Sequence, residues 1–61
     1  MRNVIVTIRR GTGARAGFVY ASIRDAETNS IVVNGTLDYV NECVLVDTKR
    51  DLHVVKIILE D

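Results

Sequence analysis

Apolar and polar residues alternate along most of this chain. Residues 2–10 set Val4, Val6 and Ile8 on one side of an extended backbone and Asn3, Ile5, Thr7 and Arg9 on the other, which predicts a first strand. Residues 11–17 break the pattern with three glycines. It resumes at 18–25, with Phe18 and Tyr20 against Val19, Ala21 and Ile23, so the two runs predict a long hairpin. Residues 25–30, DAETNS, form a polar turn in which Asp25 and Asn29 close onto the backbone. Ile31, Val32 and Val33 then lead into Asn34-Gly35. That dipeptide is either a tight hairpin turn or a sharp bend inside one longer strand where a missing Cβ lets the backbone coil.

Residues 35–50, GTLDYVNECVLVDTKR, admit two readings. As a helix the stretch opens with Thr36 as N-cap, keeps Asp38 near the positive N-terminal end and lines up Leu37, Val40 and Val44. As strands it runs 36–40, turns at Asn41-Glu42, continues over 43–48 and turns again at 49–51. Poor helix formers decide for strands: Tyr39, Val40, Asn41, Cys43, Val44, Val46, Asp47 and Thr48 together carry a propensity deficit of roughly several kcal/mol against alanine. The final run, LHVVKIIL, is apolar on both faces, Val55, Ile57 and Leu59 against Leu52, Val54 and Ile58. A strand apolar on both sides is ordinarily covered on both, and a chain this short struggles to supply two covers.

Composition strengthens the sheet reading, because Val, Ile and Thr make up 21 of 61 residues. The expected fold is one mainly β domain over residues 1–61, five or six antiparallel strands in a meander forming a small, partly open barrel. The alternative is α+β: three strands, one helix near 36–50, then a last strand. No apolar run reaches the length of a signal-peptide core or a membrane span, and the single Cys43 excludes an internal disulfide, so a cytoplasmic, reducing setting is expected.

The net charge of zero hides an asymmetry. Arg2, Arg9, Arg10, Arg15 and Arg24 make residues 1–24 +5, whereas eight acids against Lys49, Arg50 and Lys56 make the remainder −5. Such a split suits an anionic partner or oriented contact between copies, unless folding mixes the halves in space. Arg9, Arg10 and Arg15 flank glycines whose N–H groups can converge on an anion, so this loop, with Arg24 and with Tyr20 as a stacking surface, is the candidate anion or nucleic-acid site. The plainer reading of the same loop is a hairpin tip with solvated charges. His53 and Cys43 read as a sheet-face polar residue and a core thiol, not as a nucleophile with its base. With one histidine and scattered carboxylates, no metal site and no cofactor are expected.

Val33-Asn34-Gly35-Thr36-Leu37, continuing to Val40 and followed by Val44-Leu45-Val46-Asp47, resembles the bent-strand hairpin of Sm-like small barrels. The resemblance covers about a third of the chain. The family's arginine-glycine pair near the last hairpin has Lys49-Arg50-Asp51 in its place, and no helix precedes the first strand. The helical alternative resembles the truncated ribonuclease-H-like fold of HicB-type antitoxins, with three strands, a helix opening at Thr36-Leu37-Asp38 and a final strand. The first strand lacks the carboxylate at which an active enzyme of that fold holds metal.

The expected function is therefore binding and not catalysis. The chain reads as a small protein-interaction module, a regulator or inhibitor of a larger protein machine, acting as a homo-oligomer and on another protein. The partner surface is Leu52, Val54, Val55, Ile57, Ile58 and Leu59. The alternative is a nucleic-acid-binding small barrel that uses the arginine-rich loop 9–17.

Overall fold

A computed structural model describes residues 1–46 and 51–60. Strand β1 (Arg2–Arg10) leads through a loop with one 3-10 turn, η1 (Gly13–Arg15), to β2 (Val19–Asp25). After a polar turn come β3 (Ile31–Thr36), helix α1 (Leu37–Val46) and β4 (Leu52–Glu60). The sheet order is β3-β2-β1-β4, with β1 antiparallel to β2, β2 antiparallel to β3, and β4 parallel to β1.

Both turns follow from local chemistry. The β1–β2 hairpin closes with the Gly11 N–H donating to the Phe18 carbonyl at 2.8 Å. Gly11 admits no side chain, because a β-carbon there would overlap the Arg15 carbonyl oxygen. In the second turn the Asp25 carboxylate accepts the Glu27 and Thr28 N–H groups, and Asn29 takes φ 66, a region asparagine tolerates better than most residues.

The five- or six-stranded barrel is replaced by a four-stranded mixed sheet with one helix, an open arrangement with the element order of the α+β alternative. Strand direction supplies the reason. The meander leaves β3 parallel to β1, and β4 is parallel to β1 as well. A connection between parallel strands must cross over the sheet, which takes about a dozen residues and is ordinarily helical. Asn34-Gly35 accordingly lies within β3, paired with Ser22 and Ala21 and not at a hairpin turn, with Gly35 at φ 149. Thr36 caps α1, its hydroxyl accepting the Tyr39 N–H at 3.2 Å. The strand expected at 36–40 and the Asn41-Glu42 turn are helix. Of the strand expected at 43–48, residues 43–46 are helix and 47–48 lie outside the described residues, as do Lys49 and Arg50 of the next expected turn.

Helix α1 packs chiefly on β2 and β3. The core joins Val4, Ala21, Ile23, Val33 and Val40, with Cys43, Val44 and Leu52 packed against it. Val40, Cys43 and Val44 thus form the buried stripe, and Leu37 remains at the rim, exposed. Poor intrinsic propensity is offset by burying this stripe on an apolar sheet side that would otherwise meet water.

Strand β4 departs from simple alternation. Val4 pairs with Val54 and Ile5 with Lys56, so Val55 is an extra residue, a bulge. Leu52, Val54, Ile57 and Leu59 consequently share the helix side, opposite Arg2, Val4, Val6 and Ile8, while His53, Lys56, Ile58 and Glu60 share the open side. Unbroken alternation from Leu52 would have turned Lys56 and Glu60 toward the apolar side. The expected grouping of Val55 with Ile57 and Leu59, and of Ile58 with Leu52 and Val54, is corrected by that single residue.

Candidate binding surfaces

The two sides of the sheet carry different chemistry. On the helix side α1 covers the β2–β3 half, and the β4 margin is bare: Val54 is 47% exposed, Ile57 61% and Leu59 77%. Val6 and Ile8 of β1 are only partly buried beside them. A shallow depression of about 260 Å³ lies at the end of this margin, lined by Ile8, Arg10, Val19 and Leu59 and also by Arg9 and Glu60 of the other side. Among the described residues no strand pairs with the outer side of β4. Of the six residues expected at a partner surface, Val54, Ile57 and Leu59 lie together on this strip, Leu52 packs into the core, Val55 is the exposed bulge residue, and Ile58 faces the other side.

The open side is polar and basic. Cross-strand pairing sets Thr36, Tyr20, Arg9 and Glu60 in one row, Asn34, Ser22, Thr7 and Ile58 in the next, and Ile31, Arg24, Ile5 and Lys56 in a third. The Arg9 guanidinium stands 5.2 Å from the Tyr20 ring centroid and that of Arg15 5.9 Å, so two cations lean on one ring. A shallow cavity of about 350 Å³ beside them is lined by Arg9, Arg15, Tyr20, Ser22 and Asn34. Arg24 shares this side, four residues along β2 from Tyr20, with Ser22 between them. Its Nε and the Thr7 hydroxyl are buried with no hydrogen-bond partner among the described residues. Arg10 pairs with Val19 and falls on the helix side, apart from the other three arginines. Thr7, Ser22 and Asn34 are absent from the site expected from sequence, since nothing but strand register brings them beside Tyr20.

The charge asymmetry is partly cancelled by folding. Arg2 Nε donates to the Asp25 carboxylate at 2.7 Å, and the Met1 amino group lies 3.3 Å from the Asp51 carboxylate. The Arg2 hydrogen bond first, then the N–H groups of Thr28 and Glu27, lower the Asp25 pKa from 3.8 to about 2. These are the ion pairs among the described residues, and neither involves Arg9, Arg15 or Arg24. Cys43 lies half-buried on α1, and His53 is exposed on β4. Among the described residues no three His, Cys, Asp or Glu side chains are grouped to hold a metal ion, and no helix is long and apolar enough to cross a membrane.

Comparison with known protein families, with curated proteins and with solved structures finds no match to this chain.

Proposed function

We propose that this chain is a non-enzymatic protein-interaction module that acts as a homo-oligomer, a regulator or inhibitor of a larger protein assembly, with β4 as its working edge. One observation carries the reading: α1 packs chiefly on β2 and β3, and beyond it Val54, Ile57 and Leu59 line a sheet edge that no strand pairs among the described residues. An exposed edge beside an exposed apolar strip offers main-chain hydrogen bonds and apolar pockets to the same incoming chain. The element order is also the one the HicB-type resemblance implies, and that resemblance does not imply an enzyme. The test is a comparison of the proteins retained by the wild-type chain and by Ile57→Asp/Leu59→Asp, each confirmed folded by circular dichroism. The reading expects a specific protein held by the wild type and lost by the variant; identical retention by both would overturn it.

A second reading, binding of nucleic-acid phosphates on the open side, is favoured by a separate observation. Arg9 and Arg15 converge on Tyr20 with no carboxylate paired to either among the described residues. Guanidinium groups left without a carboxylate suit phosphate oxygens, and the ring between them offers a stacking surface.

A further inference from the structure

The uncovered edge of β4 has a feature that selects its occupant. After the Val55 bulge the strand runs regularly from Lys56 to Glu60, KIILE, with a cation at one end, a carboxylate at the other and three apolar residues between. We propose that the occupant is a second copy of this chain, paired antiparallel through this five-residue run about a two-fold axis at Ile58. The inference rests on the interaction-module reading and names the first partner of its edge.

Symmetry restricts the pairing to very few registers. A two-fold relating antiparallel neighbours in one sheet stands perpendicular to it, so both helices stay on the same side and facing residues must point the same way. The axis can therefore pass only through a residue, not between two. An axis at Lys56 sets two lysines face to face and runs the pairing into the bulge. One at Ile57 or Leu59 leaves part of the regular run unmatched and sets Lys56 or Glu60 opposite an isoleucine. Only the axis at Ile58 uses all five residues and places Lys56 opposite Glu60 of the second copy, twice by symmetry. Cross-strand opposite charges stabilise, and like charges oppose every competing register that juxtaposes them.

Both sides of the sheet gain from this arrangement. On the helix side Ile57 meets Leu59 of the second copy, and Leu59 its Ile57, bringing together four of the most exposed apolar side chains. On the open side Ile58 meets Ile58, flanked by the two charge pairs. Glu60 already lies beside Arg9 across the β1–β4 pair, so the second copy's Lys56 completes a row of alternating charge. Bulges and lysines on edges ordinarily oppose indiscriminate pairing. Here they confine it to one register. The product is a continuous eight-stranded sheet whose uncovered apolar strips adjoin between two helices, so the surface offered to a further protein is assembled from both copies.

Sedimentation equilibrium of the full chain tests this. The wild type is expected to be dimeric at about 100 μM, Lys56→Glu and Glu60→Lys each to weaken association by about tenfold or more, and Lys56→Glu/Glu60→Lys to return it to within about threefold of wild type. An independent arm uses Ile58→Cys in a Cys43→Ser background. Residues facing across an antiparallel pair are about 4.5–5.5 Å apart at Cα, within disulfide reach, so mild oxidation should cross-link position 58, whereas Lys56→Cys in the same background should not. A wild-type monomer at that concentration, indifference to the single charge reversals, no rescue by the double reversal, or cross-linking at 56 in preference to 58 would overturn the register. A monomer that still retains a specific foreign protein through Ile57 and Leu59 would end this inference and the homo-oligomer part of the proposed function, and leave interaction with another protein standing; loss of that retention difference alone would do the reverse.

Discussion

The Tyr39 ring lies directly over Gly35: a β-carbon at residue 35 would stand 2.9 Å from Cδ2 of that ring. With Gly35 at φ 149 as well, this contact joins the end of β3 to the first turn of α1. Gly35→Ala is expected to cost about 1–3 kcal/mol, from the strained backbone together with displacement of the ring. Urea denaturation measures it. Measured against Tyr39→Ala alone, the same Gly35→Ala change should keep only the backbone part of its cost, and a cost of zero in that background would show that backbone conformation is immaterial.

Thr36 sets the helix start through its hydroxyl. Thr36→Ala is expected to lower stability by about 1 kcal/mol, and Thr36→Ser to hold it near wild type, because serine retains the acceptor for the Tyr39 N–H. Thermal melts followed at a helix wavelength would distinguish the pair, and equal losses would remove the cap from the account.

Much of the fold was legible in these local signals. Alternation in 2–10 and 18–25, the Asp25 and Asn29 turn, and Thr36 as a cap all carry their structural reason in adjacent residues. The helix did not, because Tyr39, Val40, Asn41 and Cys43 form helices poorly when judged alone. What decides for helix is the parallel direction of β4 against β1, a relation between residues about fifty positions apart. The bulge at Val55 was hidden for a similar reason, since its role of turning Lys56 and Glu60 away from the apolar side exists only once β4 lies beside β1. Arg9, Arg15 and Tyr20 were legible as a basic loop with an aromatic neighbour, whereas the removal of Arg10 to the other side follows from strand register.

Acid should expose the contribution of Asp25. Its folded pKa, lowered to about 2 by the Arg2 hydrogen bond first and then by the Thr28 and Glu27 N–H groups, lies below the ordinary value of 3.8. The ionised form is therefore favoured by folding. That contribution is complete above about pH 3.8 and is lost as the pH falls from there toward 2. Asp25→Asn should flatten the decline in stability across this window, and Arg2→Met should flatten part of it, because the Thr28 and Glu27 N–H groups remain on the carboxylate. An unchanged acid profile in both variants would mean the pair contributes nothing.

Core and edge should separate cleanly under mutation. Val40→Ala removes two methyl groups from a buried position and is expected to cost about 2 kcal/mol. Leu59→Ser, at a position 77% exposed, should change monomer stability by less than about 0.5 kcal/mol while reducing association. Chemical denaturation at low concentration, paired with sedimentation, reads the two effects independently.

The nucleic-acid reading has its own measurement. If the open side holds phosphates, Arg9→Ala and Arg15→Ala should each reduce the slope of log affinity against log salt for a single-stranded oligonucleotide by about one. Arg10→Ala, on the other side of the sheet, should reduce it less. Negligible affinity at physiological salt, or equal effects from all three, would dismiss the site.

The proposal that stands or falls first is that the outer edge of β4 pairs with a second copy of this chain. Hydrogen–deuterium exchange of the amides at 56–60, compared at about 1 μM and about 100 μM, tests it most directly. Concentration-dependent protection confined to this run is expected, with the amides of β2 unchanged. Exchange at the rate of a free edge at both concentrations, unaltered by Lys56→Glu, would contradict it.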